Sequence, residues 1–114
     1  MEPKEFDFEF PRGDTCPYSF ELTDAKDEQL NINPSNTEIT MTVRDNSKNI
    51  VFQKKYSKGE IVVEGINASL IIQHKDTENL KINGKYNYDI QFNSGDYYKT
   101  LIIGVITLSR EETY

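Results

Sequence analysis

The chain is short of the side chains on which most catalytic and metal sites depend. It has no tryptophan, one cysteine and one histidine. Cys16 alone cannot form an intrachain disulfide, which favours a reducing compartment. A zinc site needs several histidine or cysteine ligands, and only Cys16 and His74 are present, so we expect no metal site and no cofactor. His74 is also the one conventional base available to a nucleophile, so we expect no catalytic residues and no enzyme activity.

Long apolar runs and positive charge are also scarce. The longest apolar run, residues 101–108, is interrupted by Gly104 and Thr107 and is shorter than the roughly 20 residues that a membrane-spanning helix needs. Residues 1–7 are too acidic for a secretory signal. The net charge of −6 makes the chain a poor ligand for nucleic acid and for anionic membranes. We therefore expect synthesis in the cytosol, with no nucleic-acid partner and no membrane partner.

What the chain does have is repeated alternation of apolar and polar side chains. Successive side chains of a β-strand point to opposite faces of a sheet, so alternation is typical of half-buried strands. About seven to eight short strands separated by turn-forming residues predict an all-β fold, an antiparallel β-sandwich in a single domain over residues 1–114. The predicted strands are residues 4–10, 14–22, 37–44, 50–56, 84–92 and 97–108, with short strands near 61–63 and 70–72.

Two local features add detail to this prediction. Pro17 has no N–H to donate to a neighbouring strand, so it indicates that residues 14–22 lie at a sheet edge or contain a bulge. Residues 75–80 are suited to a single helical turn, with Asp76 or Thr77 as its N-cap.

The last two strands form a hairpin whose register depends on the length of its loop. A loop of two or four residues places Lys99 on the apolar face of the hairpin. A three-residue loop, residues 94–96, moves Lys99 to the polar face and pairs Phe92 with Tyr98. We expect the three-residue loop because it leaves the lysine in water.

This register turns a second apolar row of the last strand outward. Leu101, Ile103 and Val105 then lie opposite the core, with Tyr97 near the turn. A strand that is apolar on both faces is usually covered on both. One interpretation is that another protomer or a partner protein covers the outer row, which makes these four residues candidate interface residues. The other is that the strand twists or bulges at Gly104 and buries both rows within one chain.

Several short motifs occur between residues 12 and 108. They are Gly13-Asp14-Thr15, Met41-Thr42-Val43-Arg44, Val51-Phe52-Gln53-Lys54, Gly84-Lys85-Tyr86 with Tyr88-Asp89-Ile90-Gln91, and Tyr98 with Thr100-Leu101-Ile102 and Gly104. Together they resemble small β-sandwich proteins found among the tail, baseplate and fibre-associated genes of bacteriophages and prophages. The resemblance implies an immunoglobulin-like sandwich that assembles with copies of itself or with other tail components, and it implies no catalytic residues.

Two functions are consistent with these features. We expect a non-enzymatic phage or prophage structural protein, associated with a tail, baseplate or fibre, that mediates assembly through protein–protein contacts and becomes part of the virion. The alternative is a carbohydrate- or ligand-binding β-sandwich module, because tyrosine rings stack on sugars and the last hairpin is rich in tyrosine. The lack of tryptophan weakens the carbohydrate interpretation.

Overall fold

The computed structural model describes residues 3–23, 30, 32, 35–81 and 83–110. Most of the polar segment between the second and third predicted strands therefore lies outside the described residues. In the described part the strands are β1 (Lys4–Glu5), β2 (Phe8–Pro11), β3 (Cys16–Glu21), β4 (Thr37–Arg44), β5 (Ile50–Lys55), β6 (Ile61–Glu64), β7 (Asn67–Ile72), β8 (Lys85–Ser94) and β9 (Tyr97–Ser109). A 3₁₀ turn (Tyr56–Lys58) follows β5, and the short helix α1 (His74–Thr77) follows β7.

The strands form two packed sheets, so the predicted all-β sandwich is confirmed. The large sheet has the order β1-β9-β8-β4-β5, with β2 also pairing with β9, and the small sheet has the order β3-β7-β6. β1 and β2 run parallel to β9, which departs from the purely antiparallel prediction. β3 lies at an edge of the small sheet, as Pro17 indicates, and there the missing N–H of the proline leaves no gap between strands.

The core lies between the inward rows of the two sheets. Each inward row follows the alternation of its strand, and burying one large aliphatic side chain contributes about 1.5–3 kcal/mol. The fully buried side chains with the largest volumes are Leu22, Ile39, Met41, Ile61, Ile72, Ile90, Leu108, Val43 and Thr77.

The hairpin of β8 and β9 has a two-residue loop, so the predicted three-residue register is wrong. Ser94 pairs with Tyr97, and Phe92 pairs with Lys99 rather than with Tyr98. Gly95 has a φ of 61°, which the first central residue of a tight hairpin turn requires and which glycine adopts without strain. Lys99 is only partly buried, because it lies close to the end of the hairpin, where its long side chain can extend to water.

A β-bulge beyond the turn reverses the expected orientation of Leu101. The register shifts between Ile90 and Gln91, so that Gln91 pairs with Thr100 and Ile90 pairs with Ile102. Leu101 is the extra residue of the bulge, and both Leu101 and Ile102 are buried in the core. The prediction that Leu101 faces outward is therefore wrong, because the bulge directs two consecutive side chains to the inner side.

The N-terminal strand is interrupted where it crosses Gly104. Between β1 and β2, the N–H of Phe6 donates to the carbonyl of Ile103 at 3.0 Å. A Cβ atom on Gly104 would overlap the carbonyl oxygen of Phe6 and lie 2.8 Å from Cε1 of Tyr88. Only glycine permits so close an approach of the two backbones.

Helix α1 has a different N-cap from the predicted one. The N-cap is Gln73, so the expectation of Asp76 or Thr77 is wrong. The Asp76 carboxylate instead accepts a hydrogen bond from the Gln73 N–H at 2.8 Å, as the third helical residue of a capping box does. The Thr77 hydroxyl accepts from the N–H of Gly13 at 2.8 Å, which joins α1 to the loop between β2 and β3.

Candidate functional site

The outer face of the large sheet has a hollow beside the break between β1 and β2. Its volume is about 390 Å³. Besides Tyr88 and Gly104, the lining consists of three carboxylates, one guanidinium, one amide and two apolar side chains, which are Glu5, Asp7, Asp89, Arg44, Asn87, Ile103 and Val105. We call this set of residues the outer hollow.

Strand register places these side chains on one face. Asp89 lies opposite Ile103 and Asn87 lies opposite Val105 in the β8–β9 pair. Glu5 of β1 lies on the other side of Ile103. Because directly opposed residues of neighbouring strands share a face, the apolar row of β9 runs between a polar row on β8 and an acidic residue on β1.

Two of the three carboxylates in the outer hollow have structural partners. Nη1 of Arg44 lies 3.1 Å from the Asp89 carboxylate, and since both side chains are partly exposed the ion pair contributes only about 0–1 kcal/mol. The Asp7 carboxylate accepts a hydrogen bond from the N–H of Val105 at 2.8 Å. Three carboxylates against one guanidinium leave the outer hollow with two uncompensated negative charges.

The structure separates the four predicted interface residues. Ile103, 40% exposed, and the partly buried Val105 line the outer hollow. Leu101 is in the core, so it cannot contact a partner in this conformation. Tyr97 is exposed at the hairpin end, where its ring packs edge-on against Phe92 at a centroid distance of 6.1 Å, and it does not line the outer hollow.

One residue of the outer row was missed by the sequence interpretation. Tyr98, 71% exposed, pairs with Asn93 and therefore shares the outer face with Gln91 and Asp89. The three-residue loop had paired it with Phe92 on the inner side. A preference for two-residue loops with glycine at the first position would have found it.

Two tyrosine hydroxyls anchor the N-terminal strand beneath the outer hollow. The Tyr88 hydroxyl donates to the carbonyl of Phe6 at 2.5 Å. The Tyr18 hydroxyl lies 3.0 Å from that of Tyr88, and it must be the donor because the single Tyr88 proton is already used. Burial raises the pKa of both phenols. Both therefore remain protonated at neutral pH and serve to position the strand.

Two further side chains with possible chemistry, Cys16 and His74, lie within the described residues. Burial raises the pKa of the Cys16 thiol, which lowers the fraction of reactive thiolate. Nδ1 of His74 lies 2.6 Å from the carbonyl oxygen of Gly13, and Nε2 lies 2.8 Å from the Glu78 carboxylate. Among the described residues, no group of three or more His, Cys, Asp or Glu side chains is placed to hold a metal ion.

Comparison with known proteins adds no family to this description. Neither a scan against protein-family models nor a search of curated proteins finds a match for the chain. Within the described ranges, no helix has the length and apolar character needed to cross a membrane. The geometry of the outer face is thus the basis for a functional proposal.

Proposed function

We propose that this protein is a non-enzymatic structural protein that mediates assembly through protein–protein contacts at the outer hollow. The observation that carries the proposal is Ile103, which is 40% exposed at the centre of a concave, charged face. Covering such a side chain contributes about 25 cal/mol for each Å² of apolar surface removed from water. An apolar centre with a polar rim is the usual arrangement of a protein interface.

The two engaged carboxylates support a binding role over a catalytic one. Asp89 is paired with Arg44, and Asp7 holds the N–H of Val105. Both carboxylates are therefore engaged in contacts within the chain, which hold their side chains in place. These contacts suit a preformed surface.

We further propose that the assembly is a phage or prophage particle, in which this chain belongs to the tail, the baseplate or the fibres. The motif resemblance across residues 12–108 supports this setting. The strand order, β9-β8-β4-β5 in one sheet and β3-β7-β6 in the other, is in keeping with the immunoglobulin-like sandwich that this resemblance implies. The chain would be made in the bacterial cytoplasm and incorporated into the particle. Its partners would be copies of itself or other structural proteins of that particle.

The test of the assembly role replaces Ile103 with glutamate. We expect the wild-type protein to show a light-scattering mass above one protomer that rises with concentration, and we expect I103E to remain at one protomer. The matched control is Ile71→Glu, because Ile71 is an isoleucine of similar exposure, 50%, on β7 of the small sheet. The control should assemble as the wild type does. At concentrations where the wild type is a single protomer, both variants should keep the wild-type urea midpoint.

Three outcomes separate the possibilities. Unfolding of I103E would mean that Ile103 supports the fold rather than an interface. A wild-type mass of one protomer at all concentrations would reject self-assembly. Equal loss of assembly in the Ile71 control would show that the effect comes from added charge and not from the outer hollow.

A second candidate function is carbohydrate binding at the same face. The observation that favours it is Tyr98, whose ring is 71% exposed on the outer row and is available for stacking on a sugar. A glycan array probed with the wild-type protein and with Tyr98→Ala tests it. Binding that Tyr98→Ala abolishes would support this function, and an array without binding would reject it.

A further inference from the structure

The edges of the two sheets differ in their protection against pairing with another chain. Natural proteins protect edge strands with proline, lysine, bulges or covering loops. β3 contains Pro17, and the edge formed by β1 and β2 is interrupted and ends in Pro11. At the β5 edge, Lys55 donates its N–H to the Glu60 carboxylate at 3.0 Å and accepts from the Glu60 N–H at 3.1 Å. Three of the four edges formed by the described strands therefore each carry a feature that hinders pairing with another chain.

β6 is the edge without these features. Among the described strands it pairs only with β7, and its sequence, Ile61-Val62-Val63-Glu64, has no proline and no lysine. Three consecutive β-branched side chains also favour an extended backbone.

The hairpin register shows which groups of β6 face the open side. Glu64 and Asn67 close a two-residue loop, and the pair that closes such a loop shares both hydrogen bonds. Hydrogen-bonded and non-hydrogen-bonded pairs alternate along an antiparallel ladder, so Val62 also bonds to β7. The N–H and C=O groups of Ile61 and Val63 consequently point away from β7.

Apolar side chains flank this open edge on the outer face of the small sheet. Val62 is 53% exposed, and Ile71 is exposed to a similar extent. β6 begins at Ile61, opposite Leu70, so it does not extend alongside Ile71. A hollow of about 420 Å³ adjoins Val62 and Ile71 at this point.

We propose that β6 accepts an extended segment of a partner protein as an added antiparallel strand. The segment would place an apolar side chain beside Val62 and basic side chains beside Glu60 and Glu64. It would use the sheet opposite to the outer hollow, so the proposal goes beyond the assembly role and does not depend on it.

Charge favours a different protein over a second copy of this chain. If two copies paired antiparallel about Val62, Glu64 of each copy would lie opposite Glu60 of the other. Like charges directly opposite each other destabilise a strand pair, and this arrangement would contain two such pairs. Lysine or arginine at those positions of a partner would instead provide complementary charge.

The test uses the full chain and a synthetic peptide with the core Lys-Val-Ile-Val-Lys, whose isoleucine would lie beside Val62. The measurement is amide hydrogen exchange resolved by NMR. We expect saturating peptide to slow exchange at Ile61 and Val63 by about tenfold or more, since these amides gain partners. The amides of Val62 and Glu64 already bond to β7 and should change little. The same peptide N-methylated at both valines lacks the donors that face β6, and it should give no protection.

Two variants identify the binding edge. Val62→Lys puts a positive charge on the exposed side of β6 and should weaken binding of the lysine-flanked peptide by about tenfold. Ile50→Lys is the matched control, because Ile50 is 54% exposed on β5, and it should bind as the wild type does. Unchanged urea midpoints would show that both variants are folded.

Four outcomes would overturn the proposal. The first is a lack of protection at Ile61 and Val63 with saturating peptide, and the second is equal protection by the N-methylated peptide. The third is tighter binding of a peptide in which glutamates replace the two lysines. The fourth is protection that appears without peptide and grows with protein concentration. It would identify a second copy of this chain as the occupant of the β6 edge and reject the proposal that a different protein binds there.

Discussion

At Gly104 the N-terminal chain passes directly over β9, and this crossing depends on a single missing methyl group. The carbonyl of Phe6 sits where a Cβ would lie, and the Tyr88 ring is within 2.8 Å of the same point. The Tyr88 hydroxyl also holds that carbonyl, so neither neighbour can move aside independently. Close packing of this kind makes one added carbon costly.

We expect Gly104→Ala to lower the free energy of unfolding by about 2–3 kcal/mol, because the backbone of the N-terminal strand must shift. Urea denaturation followed by circular dichroism measures the change. Gly59→Ala is the control, since Gly59 has a φ of 74° but no atom within 4 Å of its added Cβ, and it should cost only the backbone strain of about 1–2 kcal/mol. Equal midpoints for wild type and Gly104→Ala would contradict the tight crossing.

Among the secondary-structure elements, β5 and α1 are joined by one nearly buried ion pair. Nζ of Lys54 lies 2.6 Å from the Asp76 carboxylate, with side-chain exposures of 6% and 12%. The same carboxylate oxygen accepts the Gln73 N–H that caps α1. Asp76 therefore completes the cap of α1 and also pairs with the ammonium group of Lys54 on β5 of the large sheet.

We expect Asp76→Asn to destabilise the protein by roughly 3 kcal/mol, because it leaves the Lys54 ammonium buried without a counter-charge. Lys54→Met should lower the free energy of unfolding by less, since the Asp76 carboxylate still accepts the hydrogen bond from the Gln73 N–H and is partly accessible to water. In a double-mutant cycle measured by urea denaturation, the double variant should lose less than the sum of the two single losses. Additive losses would show that the two charges do not interact.

The strands show what the sequence pattern can predict and what it cannot. Alternation is local, so the predicted strand 37–44 coincides with β4, Thr37–Arg44. The register of β9 cannot be predicted in this way. Leu101, Ile102 and Ile103 are three consecutive apolar residues, so an apolar side chain faces the core in either of the two possible registers. The bulge determines which register is adopted. It arises from the pairing of β8 with β9 along their whole length and not from the sequence of either strand alone.

The candidate site likewise has one part that follows from local alternation and another that depends on strand pairing. The exposure of Ile103 follows from the period of β9 once its register is known. The acidic side of the outer hollow does not, since Asp7 reaches Val105 across a sequence separation of 98 residues. That contact requires the parallel pairing of the first and last strands, and alternation carries no information about which strands are neighbours.

In the whole molecule, the tyrosine pair connects three parts of the fold. Tyr18 belongs to β3 of the small sheet, Tyr88 belongs to β8 of the large sheet, and Phe6 lies in the N-terminal chain. Their hydrogen bonds span the interior between the sheets, with Tyr18 and Tyr88 hydroxyls 3.0 Å apart. The stability of the whole sandwich should therefore depend on both phenols remaining protonated.

We expect this dependence to appear as alkaline destabilisation. Burial raises the folded-state pKa of Tyr18 and Tyr88, whereas an unfolded tyrosine titrates near pH about 10. The contribution of the two phenols is thus complete below about pH 10 and is lost as the pH rises above that value. Urea midpoints measured across this range should fall steeply in the wild-type protein.

The double variant Tyr18→Phe/Tyr88→Phe tests whether these two phenols cause the fall. At neutral pH it should be less stable by about 1 kcal/mol for each lost hydrogen bond. Its midpoint should then decline less steeply than that of the wild type above pH about 10, because it has no buried phenol left to ionise. Tyr98→Phe, at a ring 71% exposed, is the control and should keep the wild-type midpoint and slope. An equally steep decline in the double variant would mean that other groups govern alkaline unfolding.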